Sequence, residues 1–219
     1  MQLKELLSSG LYRQNLDFWY RAWNMVKVPY TQMLDLPYLK AIPENLKAHG
    51  AKKVLDLGCG SGWLSVYLAR MGFSVTGIDV APHAIVLARS WAAQEELSIV
   101  FNVADIADID YEKATFDAVV ANSIFEHFTL NLACAVVAKL RSLLIDGGLL
   151  IACFDRVGTG PGECYKLDDG TQVYTDKSRR GMMLRYFNDQ EILTLFKDWQ
   201  IEIFQTLENG SRFLVVVAT

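Results

Sequence analysis

From Lys53 onward the chain alternates short apolar runs with amphipathic stretches. KVLDLG, FSVTGID, LSIVFNVAD, FDAVVANS and LLIACF have the length and composition of buried strands. Between them the period changes. In WLSVYLARMG, Leu64, Leu68 and Met71 share one face of a helix that Gly72 ends. Pro82 suits the first turn of the next helix, which runs to about Ala93. A third helix, Asn131 to Leu144, aligns Leu132, Val136, Leu140 and Leu143, and IDGG turns the chain into the fifth strand. Strands separated by helices predict a doubly wound α/β fold with right-handed crossovers.

The C-terminal pattern differs. Asn188 with Glu191 three residues on makes a capping box, and Ile192, Leu195 and Phe196 face inward from the helix it opens. WQIEIFQTL and SRFLVVVAT then flank ENGS, and Asn-Gly between two apolar runs predicts a hairpin. The expected sheet is seven-stranded and mainly parallel, with an antiparallel end. One domain covers 1–219 in this reading. Residues 1–50 form a helical cap rich in aromatics (Tyr12, Phe18, Trp19, Tyr20, Trp23, Tyr30, Tyr38), and 51–154 form a cofactor-binding core. Residues 155–187, with Gly158, Gly160, Pro161 and Gly162, form a long polar connection of the kind that serves as a lid, and 188–219 form the last helix and hairpin.

Composition narrows the function. The 219 residues are 52% hydrophobic and carry a net charge of −4, which suits one sizeable core and speaks against a nucleic-acid partner. No apolar run reaches the length of a membrane span, and the first residues do not read as a secretory signal. Cys59, Cys134, Cys153 and Cys164 form no CxxC pair and have no histidine at ligand spacing, so neither disulfides, zinc nor another metal is expected. A cytoplasmic setting follows. The pattern carries no signal of oligomeric state.

The chemistry concentrates in DLGCGSG. Gly58, Gly60 and Gly62 leave the first strand at its carboxyl end, where ligands of such sheets bind. Glycine admits unusual backbone angles and close approach, and the helix that follows offers unpaired N–H groups. Asp79 ends the second strand, where a carboxylate accepts hydrogen bonds from both hydroxyls of a ribose. A nicotinamide dinucleotide would fit this much. Yet the spacing is GxGxG, Trp63 stands where GxGxxG has its third glycine, and Asp56 at the loop mouth would repel a diphosphate. An adenosine joined to an ammonium-bearing group fits better.

In this ordered set the chain resembles the class I S-adenosylmethionine-dependent methyltransferases, from about Val54 to the C-terminus. The resemblance rests on DLGCGSG, on Asp79, on Ala104-Asp105-Ile106 after strand three, on FDAVVANSIFEHF, on LLIDGGLLIACF and on the final hairpin. RYFNDQEILTLFKDWQI resembles the small-molecule branch that includes tellurite- and ubiquinone-type enzymes. The resemblance implies that Gly58, Cys59, Gly60 and Gly62 wrap the methionine part and ribose of S-adenosylmethionine. It implies Asp56 for the amino group, Asp79 for the ribose, Asp105 with Ala104 for the adenine, and Val80 and Ile106 as its sandwich. Asn122 would lie near the sulfonium, and Trp19 and Tyr20 on the helix that closes over the cofactor. The reaction would be in-line transfer to a small molecule, releasing S-adenosylhomocysteine. A nicotinamide-dependent oxidoreductase and a non-catalytic S-adenosylmethionine-binding protein are the alternatives.

Beside the loop, Cys59 has no base nearby in sequence and reads as a small filler. His127 is either a cap for the next helix or a base for a substrate hydroxyl, and Glu126 beside it reads as solvated. Phe125, Arg185 and Tyr186 are candidates for the substrate pocket, while Arg179 and Arg180 read as a solvated loop.

Overall fold

The computed structural model describes residues 5–6, 8–28, 33–106, 109, 111–156 and 162–219. Tyr30, Gly158, Gly160 and Pro161 lie outside them. Helix α1 (Gly10–Met25) starts at Ser9, whose side chain accepts the Tyr12 N–H, and α2 (Ala41–Ala48) follows. The α/β region runs β1 (Lys53–Leu57), α3 (Trp63–Arg70), β2 (Ser74–Asp79), α4 (Pro82–Gln94), β3 (Val100–Val103), β4 (Phe116–Asn122), α5 (Leu130–Leu143) and β5 (Leu144–Phe154). A 3-10 turn, Phe125–His127, lies between β4 and α5. Three short strands, β6 (Cys164–Lys166), β7 (Gln172–Tyr174) and β8 (Met183–Leu184), precede α6 (Asp189–Leu195), β9 (Trp199–Thr206) and β10 (Arg212–Ala218).

The main sheet has seven strands in the order β3-β2-β1-β4-β5-β10-β9. β1 to β5 pair in parallel, and β10 runs antiparallel to both β5 and β9. The predicted architecture and its reversed end are therefore present. Period-two alternation within the buried strands splits the core in two. Leu55, Leu57, Val119 and Ala121 face the cluster that holds α5 and α6, while Val54, Ala118 and Val120 face the cluster with α2 and α3. The pairing of β10 with β9 shifts register between Val215 and Val216.

Two expectations are corrected here. Met71 is not on the inner face of α3; it caps the helix C-terminus and is 41% exposed, because the helix stops at Arg70. The 155–187 segment is not just a connection. Its described part builds a second antiparallel sheet, β6-β7-β8, whose Val173, Tyr174 and Met183 are buried. The capping box at Asn188 is complete in both directions. Among the described residues no helix is long and apolar enough to cross a membrane.

Candidate active site

The strand order places the ends of β1, β2 and β4 side by side, β1 in the middle. The switch in connection direction falls beside β1, where an open α/β sheet forms its crevice. Gly58, Gly60 and Gly62 all have positive φ, +69°, +53° and +87°. The angles alone require glycine, since a Cβ in the left-handed region is crowded by the next carbonyl. Their surroundings differ in meaning. A Cβ on Gly62 would meet Ala88 and Phe101, which is helix packing. A Cβ on Gly60 would lie 2.7 Å from the Trp23 indole, and one on Gly58 would lie 2.7 Å from Ile124. Those two glycines face the crevice, and side chains from α1 and the β4 end close over them.

Asp79 is the polar anchor of this crevice. Its Oδ2 accepts the Gly60 N–H and its Oδ1 the Ala81 N–H, both at 2.9 Å. Burial pushes its carboxyl pKa up and these amides pull it back. Each oxygen keeps a second lone pair, so both can still accept from hydroxyls of a ligand. Asp56 has a different place. It is 2% exposed beneath the loop, its Oδ2 accepts the Ser65 hydroxyl at 2.6 Å, and burial pushes it up to about 7. It lines neither neighbouring cavity; it supports the loop from below.

Two cavities adjoin. One, of about 50 Å³, lies between Val80, Ala104 and Ile106 on the sheet side and Tyr12, Leu16 and Trp19 of α1. It has room for a few waters, so a purine there requires α1 to shift. The other, of about 300 Å³, is bounded by Gly58, Cys59, Gly60 and Asp79 below and by Trp19, Trp23 and Leu34 above. Asn122 reaches it from the end of β4, its Oδ1 accepting the Tyr38 hydroxyl at 2.9 Å. Tyr20 is 37% exposed and lines neither cavity, but its phenol pKa is raised, first by burial and then by Asp105, Asp17 and Asp79, which places it near the same edge. Cys59 is buried, with burial raising its thiol pKa far from thiolate chemistry.

His127 borders both cavities, and Trp19 meets its ring edge-on at 4.6 Å between centroids. Its Nδ1 lies 3.1 Å from the Met183 carbonyl. A carbonyl only accepts, so Nδ1 carries the proton and Nε2 is the unprotonated nitrogen. Burial lowers the ring pKa, which keeps it neutral at pH 7. That state suits a base. The helix-cap reading is corrected, because Thr129 caps α5 by accepting the Leu132 N–H.

The other candidates are not brought together there. Phe125 is fully buried and stacks on Phe154 at 5.0 Å, so it is core and not pocket. Arg185 is 3% exposed, pairs with Glu191 at 2.5 Å, donates to the Asp169 carbonyl and lies over the Phe187 ring. Tyr186 is a surface residue whose hydroxyl accepts from Arg212. Glu126 is not solvated. It is 3% exposed, Oε1 accepts the Asp155 N–H, and burial first, then Asp155, pushes its pKa up to about 8. Arg179 pairs with Asp176 and lies over Tyr174, so it too is fastened. Among the described residues no cluster of His, Cys, Asp or Glu could hold a metal.

Sequence reasoning named Tyr12 and Trp23 only among the aromatics of the cap, and passed over Asn15, Leu16, Leu34 and Ile124. Part of the signal was present. Tyr12, Leu16, Trp19 and Trp23 follow helical spacing, and Asn15 is a polar residue within that stripe.

Comparison with known proteins agrees with this geometry. Residues 54–148 match the methyltransferase domain family. Over 100 residues the chain is 43% identical to a ubiquinone biosynthesis O-methyltransferase of Methylocella silvestris, covering 46% of this chain and 38% of that protein. The chain thus spans less than half the length of the ubiquinone-type relatives it matches first. A solved Pyrococcus horikoshii protein shares the fold with a TM-score of 0.72 and 24% identity, over 91% of this chain and 99% of its own. A Burkholderia thailandensis 1,6-didemethyltoxoflavin-N1-methyltransferase, solved with its substrate and S-adenosylhomocysteine, gives 0.64 and 22% over 95% of this chain and 86% of its own. With that matched domain set in this strand order and glycine crevice, the chain is similar to the S-adenosylmethionine-dependent methyltransferases, and residues 54–148 carry the likeness to their methyltransferase domain.

Proposed function

We propose that the protein transfers a methyl group from S-adenosylmethionine to a small-molecule acceptor. The observation that carries this is Asp79. Its two oxygens are fixed by backbone amides beside Gly60, and an apolar slot, Val80 to Ile106, opens next to it. That donor and acceptor set fits an adenosine: ribose hydroxyls on Asp79, purine in the slot, Asp105 at its rim. Gly58 and Gly60 admit the methionyl chain, Asn122 lies beside it, and Asp56 stiffens the loop. Trp19 and Tyr20 belong to the helix that covers it.

The bound cofactor supplies an electrophilic methyl on sulfur with its leaving group built in. The chain supplies position and a dry, aromatic-walled space under Trp19 and Trp23, where orientation lowers the barrier. His127 takes the proton of an acceptor that has one to lose, its neutral ring presenting Nε2. An oxygen acceptor is favoured by that base and by the O-methyltransferase relatives. No relative described above is a nicotinamide enzyme.

Calorimetric titration with S-adenosylmethionine, S-adenosylhomocysteine and NAD tests the cofactor. Binding of the first two is expected, and binding of NAD alone would overturn the reading. Turnover of labelled S-adenosylmethionine against a panel of small hydroxyl compounds then separates an enzyme from a non-catalytic binder.

A further inference from the structure

Asn15 is a polar side chain 2% exposed on the inner stripe of α1. Its Nδ2 donates to the His127 carbonyl at 3.3 Å, and its Oδ1 accepts the Met183 N–H at 3.0 Å. A carbonyl on one side and an N–H on the other admit a single orientation of the amide. Met183 in turn accepts the His127 Nδ1–H. The three groups close a ring that joins α1, the turn after β4, and β8. A second contact holds α1 to the same strand pair. Gly181, at φ +90°, lies so close that a Cβ on it would be 2.4 Å from the Gln14 carbonyl oxygen.

The role of His127 depends on this ring. Its tautomer is set by the Met183 carbonyl, and the position of that carbonyl is set by Asn15. Yet α1 also roofs the slot beside Val80 and Ile106, which holds only a few waters while α1 is docked. Ligand entry therefore moves the element that aligns the histidine. Among the charged groups near the ring, Asp155, from the end of β5, acts to raise its pKa. Asn15 carries no charge, so its influence is orientational.

We propose that Asn15 is a positioning residue that couples closure of α1 to the alignment of His127. The imidazole presents Nε2 to the acceptor only while α1 is docked. This rests on the reading of His127 as the base. It adds an order of events: α1 parts to admit the cofactor, the ring opens with it, and the base is aligned again once α1 closes. An acceptor that arrives in the open state meets a histidine without a fixed tautomer.

The test reads the histidine directly and needs no acceptor. The chain has three histidines, His49, His83 and His127, so a long-range proton–nitrogen NMR spectrum resolves each ring. Wild type should show the Nδ1–H tautomer at His127. Asn15→Ala should populate the Nε2–H tautomer at His127, with His49 and His83 unchanged. Gly181→Ala, which displaces α1 without touching Asn15, should do the same and serves if Asn15→Ala does not fold. In wild type, hydrogen exchange with and without S-adenosylhomocysteine should protect 10–25, 125–128 and 181–184 together. An unchanged His127 tautomer in a folded variant would overturn the coupling, as would protection of 10–25 alone. Failure of S-adenosylhomocysteine to bind would instead sink the cofactor reading, and the tautomer comparison would still decide the role of Asn15.

Discussion

The two sides of the crevice are built differently. The cofactor side is local: Gly58, Gly60, Asp79 and Val80 lie within one β-α-β unit, and the Asp79 bond to Gly60 spans 19 positions. The roof is assembled from afar. Asn15 reaches Met183 over 168 positions and Tyr38 reaches Asn122 over 84. Recognition that rests on backbone geometry is written into a short string of residues. Recognition by a docked helix is written in matching surfaces that no single stretch contains.

Substitutions can break or sharpen that contrast. The largest effect should come from the core beneath the roof. Phe125→Ala removes a ring packed on Phe154 and Phe196 and should cost about 3–5 kcal/mol in chemical denaturation, while S-adenosylhomocysteine affinity of the folded fraction stays within about twofold. A large loss of affinity without loss of stability would restore Phe125 to the pocket. On the local side, Gly60→Val combines a left-handed backbone with a collision against Trp23. It should weaken S-adenosylhomocysteine binding by about a hundredfold in calorimetry. Near-normal affinity would show that the loop does not approach a ligand. Asp79→Ala should weaken it by at least about tenfold, and an unchanged constant would remove the ribose role.

The smallest effect is at Glu126. At pH 5 Glu126→Gln should change stability by less than about 1 kcal/mol, since the buried acid is protonated and the amide matches its shape. The folded pKa is raised, so the folded state holds a proton that the unfolded chain releases above the ordinary carboxylate range. Wild type should therefore lose stability as pH rises towards about 8. Denaturation across pH 5–8 should show that slope in wild type and a flatter one in the variant. Equal slopes would mean that Glu126 is solvated after all.

What could be read from the sequence follows the same division. The parallel strands, the reversed hairpin, the crevice glycines and the Asn188 cap each rest on a period or a spacing of a few residues, and each is present. The errors at Phe125, Glu126 and Arg185 required a tertiary partner. Phe125 and Glu126 sit beside a site residue in sequence, yet a 3-10 turn sends them inward while His127 faces the cavity. Arg185 reads from sequence as a pocket candidate because Glu191 and Asp169 come to it only when α6 and the β6–β7 turn are in place. The β6-β7-β8 sheet escaped notice because strands of two or three residues are too short to display alternation.

The hairpin that closes the sheet has a consequence for how copies of the protein behave together. β9 is the outer strand, and an outer strand offers unpaired backbone groups to any neighbour. Here the register slips between Val215 and Val216, which kinks the pair, and Glu202 is drawn to His49 at 2.8 Å. Gln200 and Glu202 are exposed along the strand. An irregular rim that carries Glu202 is a poor template for another strand, so crowding at high concentration should not extend the sheet from this edge into the next molecule.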